Sequence, residues 1–397
     1  MKSKFTALAL FAITAAAVVF YPQHQGIATT NHTPANPSLV HDSARVEVVF
    51  VLDTTSSMTG MIEAAKEKIW SIASNMASAQ QAPEIRIGLV AFRDRGDAYV
   101  TRVVDLSSDL DTLYATLMDF QTQGGGDTPE SVNQALHDAV RNISWSQDSD
   151  TYRVVFLVGD SPPHMDYQDE IQYPDILSLA AEKGIVVNTI QCGPNPLTAT
   201  KWQQIADLGG GRYFQVEQSG SAVAIATPYD EKLAEISRRL DDTRLYYGSV
   251  EDKEKKQMKM EATDKLHTSS SPASRARRAV FNASASGRTN LLGQGELVED
   301  IASGRVDLST IEKDRLPESL QDLSPKEQKT VVEDTARQRL ELENNISELA
   351  AKRRAFIREK VDADGGARES LDDKIYSAVR EQAAKHGLSY EAESSAY

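Results

Sequence analysis

The sequence predicts an α/β fold: a doubly wound, mostly parallel sheet with helices on both faces, followed by a charged α-helical C-terminal region. Three observations carry this. Between Val46 and Val216, short apolar runs alternate with segments of helical periodicity, the pattern of βαβ units. Several of the runs are apolar throughout rather than alternating, which is how strands covered on both faces read. After about Tyr247 the strand-like runs stop and charged helical segments take over.

The elements follow in order. Val46 to Leu52 is mostly β-branched or aromatic and closes at Asp53. Thr59 to Ala79 reads as a helix, with Met61, Ile62, Ala65, Ile69, Ile72, Ala73 and Met76 on one face. Pro83 breaks the chain before a strand from Ile85 to Phe92, and Tyr99 to Leu106 is a third strand. A short helix, Leu110 to Phe120, precedes the loop Gln123-Gly124-Gly125-Gly126-Asp127-Thr128-Pro129-Glu130. The helix Ser131 to Asn142 comes next; Pro129 suits its first turn and Glu130 its positive end. Tyr152 to Val158 is a buried strand ending at Gly159-Asp160. Pro174 to Lys183 is a helix stopped by Gly184, and Ile185 to Cys192 the next strand. Thr200 to Leu208 is helical, Arg212 to Val216 is the last strand, and a helix spans about Asp230 to Arg239.

Residues 45–247 therefore form the α/β domain. Residues 248–292 read as a flexible linker, because Glu251 to Ser274 is charged and then Ser-rich. Residues 293–397 read as a helical tail. Ser309 with Glu312, and Ser324-Pro325-Lys326-Glu327, have the form of capping boxes, and the helix after the second reaches about Val361. Leu342, Leu349 and Phe356 stand one heptad apart with Ile346 between the first two. Arg353 interrupts that seam, which favours a helical hairpin over a long coiled coil. Gly365-Gly366 breaks the helix. Ser370 with Asp373 caps a last one, through Ile375, Val379 and Ala383 to Gly387.

Lys2 and Lys4 precede an apolar run from Phe5 to Tyr21, the layout of an export signal. Residues 1–28 are thus either a signal peptide, with Gly26-Ile27-Ala28 as its small-residue cleavage site, or a retained N-terminal membrane anchor. The run sits near the ~17–20 residues a spanning helix needs. Residues 29–44 are a polar linker. Either alternative sends the rest of the chain outside the cytoplasm, to a bacterial periplasm or the outer face of the inner membrane, or into the medium. The net charge of −15 argues against nucleic acid as a partner and suits a divalent cation. The single Cys192 precludes an internal disulfide and a cysteine-based zinc site.

Asp53, Thr55 and Ser57 follow the first strand at two-residue steps. Asp160 closes the strand at Gly159, and the glycine loop lies between them in sequence. Open α/β sheets bind ligands beyond the C-terminal ends of their strands. Carboxylates and hydroxyls are a hard-oxygen set for Mg²⁺, Mn²⁺ or Ca²⁺. Asp53-Thr54-Thr55-Ser56-Ser57 resembles the Asp-x-Ser/Thr-x-Ser motif of von Willebrand factor A domains. The loops at Gly124 to Glu130 and at Asp160 resemble that family's second and third metal loops, over residues 45–243.

The resemblance implies a metal-ion-dependent adhesion site. Thr55 and Ser57 would bind the cation, Mg²⁺ first among the three, through their hydroxyls. Asp53 and Asp160 would act through water or outer hydrogen bonds. Many relatives carry a Thr where Asp127 stands, so Asp127 or Thr128 is the second-loop donor, with Asp127 preferred. In some relatives the last helix of the domain shifts as the site opens and closes; here it would be about Asp230 to Arg239. The function implied is a cation-dependent protein-binding module, gripping an Asp or Glu of a protein partner, and not an enzyme. The alternatives are a metal-stabilised scaffold whose tail does the interacting, and an accessory subunit of an envelope enzyme. The tail would be a spacer, a docking arm or an oligomerisation element.

Several enzyme patterns are missing. Thr55 stands where phosphatases of the haloacid dehalogenase type need a second Asp. No Gly-x-Ser-x-Gly elbow surrounds Ser56 or Ser57, and no Gly-Lys-Ser/Thr follows the glycines. His164 and Asp166 are read as loop residues near the rim, and Arg95-Gly96-Asp97 as a turn between strands.

Overall fold

The computed structural model describes residues 44–125, 128–219, 225–363 and 371–390. The expected export signal or anchor, its linker, Asp127 and Ser370 lie outside these residues.

Among the described residues six strands form one sheet in the order β3-β2-β1-β4-β5-β6. They are β1 (Arg45–Asp53), β2 (Glu84–Phe92), β3 (Thr101–Ser107), β4 (Thr151–Gly159), β5 (Ile185–Cys192) and β6 (Gly210–Val216). Only β3 runs antiparallel. The chain winds outward from β1 in one direction through β2 and β3, then returns to β4 on its other side. β1 and β4 therefore flank the point where the winding reverses, and a crevice opens beyond their C-terminal ends. Leu52 pairs with Val158, which sets Asp53 beside Gly159.

Both faces of the sheet are buried, as the unbroken apolar runs require. Val48, Phe50 and Leu52 face helices α1 (Thr59–Ala77) and α2 (Leu110–Met118). Val49 and Val51 face α3 (Val132–Arg141), α4 (Tyr173–Glu182) and α5 (Pro196–Leu208). The strands and helices fall within two residues of their expected bounds in most cases; α5 starts four residues early because Asn195 caps it and Pro196 opens it. Pro129 and Glu130 do not lie in the first turn of a helix. The helix starts at Val132, and Glu130 sits in an extended loop bridged to Pro163.

The expected linker is instead helical and packed. Residues 248–292 hold α7 (Val250–Ser269), α8 (Pro272–Asn282) and α9 (Arg288–Leu292), preceded by α6 (Asp230–Asp241). Ser249 and Asp252 form a capping box at the start of α7. The charges that read as solvated are partnered at a distance. Arg278 is fully buried and bonds both Asp111 of α2 and Asp241 of α6. His267 Nε2 lies 2.7 Å from Asp241, and Lys259 reaches Asp109 at 2.6 Å.

The tail also departs from expectation. α10 (Leu297–Ala302) and α11 (Glu318–Gln321) are followed by α12 (Pro325–Ala363), which the Ser324–Glu327 box caps as expected. Ser309 and Glu312 form no such box; Asp307 accepts from the Ser309 N–H instead. Leu342 and Ile346 of the heptad seam pack on Leu233, Ile236 and Leu240 of α6 within the same chain. Arg353, the seam's interruption, is buried and donates to Asp230 at 2.8 Å. α12 and α13 (Leu371–Ala383) do not form a hairpin core. Ile375, Ala378, Val379 and Ala383 of α13 join the sheet core beside α1. Gln382 reaches Tyr152 and Asn188 on the strands. The helix after β6, α6, buries its apolar face on α8 and α12, so α13 takes the place on the sheet expected of α6. No described helix is long and apolar enough to cross a membrane.

Candidate metal site at the sheet switch point

β1 delivers Asp53 to the crevice with 1 % exposure. The Thr55 hydroxyl and N–H both donate to Asp53 Oδ1, at 2.6 and 2.9 Å. The hydroxyls of Thr55 and Ser57 stand 3.2 Å apart, so their two-residue spacing brings them to one spot. Thr55 is buried and Ser57 exposed, which gives the pair a dry side and a wet side. Asp53 Oδ2 is buried and has no hydrogen-bond partner among the described residues. Gly159 makes room for this carboxylate: a Cβ there would lie 3.0 Å from Asp53 Cβ and 3.1 Å from the Trp202 ring.

The glycine loop lies along the first loop. Gln123 N–H donates to Thr54 O at 3.2 Å, and Ser56 N–H to Gly124 O at 3.4 Å. Gly125 has φ +76°, and a Cβ on it would come within 2.9 Å of Thr55 Cβ. Both the left-handed backbone and the close approach need glycine. Asp160 is half-buried at the end of β4, with Oδ2 accepting from Gln218 Nε2 at 2.7 Å. Gln218 also donates to Ser57 O at 3.1 Å, tying the first and third loops together. Of the expected site residues, Asp53, Thr55, Ser57 and Asp160 meet at this crevice. Thr128 is exposed on the second loop, and Asp127 is outside the described residues.

Three residues escaped the sequence reading. Gln218 is a lone amide after the last strand, with no motif to mark it. Asp97 packs its carboxylate against Gly124, which a Cβ there would strike. Arg95 meanwhile pairs with Asp169 and Glu170 and lies over the Tyr167 ring, so the arginine of the Arg-Gly-Asp turn is engaged within the chain. Glu130, 2 % exposed, turns inward and leaves Oε2 unpartnered among the described residues. His164 is buried between Asp94 (3.2 Å) and Asp166 (2.7 Å) and stacks on Tyr167. Ser131 donates to Asp94 rather than to the imidazole. No serine–histidine hydrogen bond is built at His164 among the described residues.

Acidic side chains dominate the electrostatics, while buried Arg93 donates to the Thr54 carbonyl, at 3.2 Å. Burial pushes the Asp53 carboxyl up to about 7 against the two Thr55 hydrogen bonds; the Asp160 charge adds to the rise and the Asp160 backbone N–H opposes it. Burial, then Asp53, Asp94, Asp97 and Asp160, push Glu130 up to about 9. No basic side chain pairs with Asp53, Glu130 or Asp160 among the described residues. Among those residues no set of three His, Cys, Asp or Glu is arranged for a metal. The donors that converge are a hydroxyl pair beside buried carboxylate oxygens. A buried, unpaired carboxylate is costly unless it takes up a proton, as the raised values of Asp53 and Glu130 reflect, or a cation joins it. The orphaned Asp53 oxygen and the hard-oxygen donors fit a divalent cation.

Residues 47–227 match the family model of the von Willebrand factor A domain. This segment is thus similar to von Willebrand factor A domains. A curated relative, named as an ariadne-like RING finger protein of Acanthamoeba polyphaga mimivirus, is 28 % identical over 126 residues, 31 % of this chain. The match spans only 12 % of that relative's length. The VWA domain of SpRpn10 is similar in structure at 13 % identity and a TM-score of 0.35, covering 44 % of this chain and 89 % of that one. Proximal thread matrix protein 1 of the mussel byssus, described with a zinc-occupied MIDAS motif, has 17 % identity and a TM-score of 0.35. It covers 45 % of this chain and 43 % of its own. Von Willebrand factor A domains generally serve as interaction modules, and their adhesion-site motifs bind divalent cations.

Proposed function

We propose that this chain is a divalent-cation-dependent protein-binding module of the cell envelope, held by or released from an N-terminal export segment. The observation that carries the reading is the buried, unpartnered Asp53 oxygen beside the Thr55–Ser57 hydroxyl pair at the sheet's switch point. The bound cation, Mg²⁺ in our reading with Mn²⁺ and Ca²⁺ as alternatives, supplies a Lewis-acidic position for a carboxylate oxygen of the partner. Thr55 and Ser57 offer neutral oxygens to it, leaving its charge only partly quenched. Asp53 orients Thr55 by accepting a hydrogen bond from its hydroxyl. Gln218 orients Asp160 by donating to it. The partner is a protein that presents an exposed Asp or Glu.

The test immobilises the full chain and passes envelope extract over it in Mg²⁺. Proteins retained on wild type, eluted by chelator and absent from Asp53→Ala are the expected result. Identical retention by both proteins with and without chelator contradicts a metal bridge. It would favour the scaffold alternative, in which the packed helices do the binding.

A further inference from the structure

We infer that the groove between the start of α1 and the end of α2 is a second subsite, which takes a second acidic side chain of the partner. This deepens the reading above and rests on it. The groove is built from two chain segments that both run into the loops of the candidate metal site. One wall is a single face of α1: Thr59, Ile62, Glu63 and Lys66 stand at i, i+3, i+4 and i+7. The other wall lies between Met118 and Thr122, and the chain leads on from there to Gly124. Thr59 follows Ser57 by two residues, and its hydroxyl lies 2.6 Å from that of Thr122. That contact closes the end of the groove nearest the crevice. The cavity has a volume of about 340 Å³, room for a carboxylate side chain and its water.

Lys66 sets the chemistry of the groove. It is 9 % exposed, so its ammonium group is held among the walls rather than in bulk water. Nζ donates to Phe120 O at 3.1 Å and to Glu63 Oε1 at 2.9 Å. An ammonium has three N–H donors, and these two acceptors leave one of them for a ligand. Phe120 O is neutral. The Glu63 side chain is 67 % exposed, and an ion pair with so exposed a partner contributes little. An incoming carboxylate therefore takes the remaining N–H, or takes the place of Glu63 as that side chain turns out into water. Asp119, the acid of the opposite segment, does not compete, because Lys265 holds it at 2.6 Å.

The spacing defines the partner further. Thr59 and Lys66 are seven residues apart on α1, about 10 Å at ~1.5 Å per residue. A polyproline II segment rises about 3.1 Å per residue with about three residues per turn. Its side chains at i and i+3 therefore lie on one face, about 9 Å apart. A partner segment of the form acid-x-x-acid in this conformation reaches the cation with one carboxylate and Lys66 with the other.

The experiment titrates full-length protein in Mg²⁺ with fluorescein-labelled hexapeptides and reads anisotropy. Wild type should bind Pro-Asp-Pro-Pro-Glu-Pro about 10-fold more tightly than Pro-Asp-Pro-Pro-Gln-Pro, the value of one hydrogen-bonded charge. It should also prefer the first peptide to Pro-Pro-Asp-Glu-Pro-Pro, which has the same charge and the wrong spacing. Lys66→Gln should cut the advantage to under about 2-fold, and Glu63→Gln, which removes the competing acid, should widen it. Circular dichroism and melting show whether Lys66→Gln is folded. If it is not, Glu63→Gln decides, because its advantage widens only when the second acid meets Lys66. Equal binding of the three peptides to wild type, lost in chelator, overturns the subsite and leaves the metal bridge standing. An advantage that survives in folded Lys66→Gln, or that Glu63→Gln does not widen, overturns it as well. Absence of chelator-sensitive binding of every peptide overturns the subsite together with the metal bridge on which it rests.

Discussion

Two clusters of buried acids lie at opposite ends of the physics in this molecule. At the switch point, Asp53 and Glu130 have no basic partner among the described residues, and burial pushes their carboxyls up to about 7 and about 9. Around Arg278, Asp111 and Asp241 are as deeply buried. There burial also acts to raise them, but the Arg278 guanidinium outweighs it: Asp111 is held down to about 2, and Asp241 lower still. The second cluster carries its own countercharge from α8. The first is built to receive one from outside. A buried carboxylate alone marks nothing; a buried carboxylate that the chain leaves unpaired points to a ligand.

Removing the internal countercharge should have the largest effect. Arg278→Leu strands Asp111 and Asp241 and should cost about 3–5 kcal/mol of stability, read as a shift in urea midpoint. Because α2, α6, α7 and α8 meet at Arg278, the loss should appear in the whole cooperative transition rather than as melting of a separate tail. A variant that loses only a minor early transition would break the comparison, since the helices would then be an appendage.

Acid should act next. The Asp111 carboxyl is lowered in the folded state from an unfolded value near 3.9. Its contribution is therefore fully present above about pH 4 and is lost as pH falls toward about 2. The loss is on the order of 2 kcal/mol, and Asp111→Asn should flatten that part of the stability profile measured by urea denaturation. A wild-type profile unchanged by Asp111→Asn between pH 4 and pH 2 would sink the pairing.

Gln218→Ala should have the smallest effect, weakening cation affinity by about 10-fold, the low end for residues that orient ligands. Calorimetry with Mg²⁺ measures it. An unchanged Kd would mean that Asp160 needs no orienting.

The sheet was legible because its information is local. Val46 to Leu52 and Tyr152 to Val158 read as buried strands from their own residues, and both are. That Asp53, Thr55 and Ser57 lie together was legible because they follow one strand within five residues. The C-terminal half failed where partners are distant. Nothing near Arg278 in sequence reveals Asp111, 167 residues away, so a run of matched charges looked like a solvated linker. The α12 seam looked like one side of a hairpin within the tail because its true partner, α6, is an amphipathic helix far back in the same chain. Glu130 was misread because an acid before a helix usually serves the helix dipole. The extended bridge to Pro163, which turns its side chain inward, is set by β4's loop rather than by its neighbours.

The contrast between the two clusters is tested most directly at Asp53. Thermal melts of wild type and Asp53→Asn are compared in chelator and in excess Mg²⁺. A site lacking its countercharge predicts that Mg²⁺ raises the wild-type Tm, with a gain of about 2.7 kcal/mol at one hundred times Kd. It also predicts that Asp53→Asn in chelator melts no lower than wild type and does not respond to Mg²⁺. If Asp53→Asn instead melts well below wild type in chelator, and Mg²⁺ moves neither protein, the switch point is a paired structural cluster like that at Arg278 and the metal site is wrong.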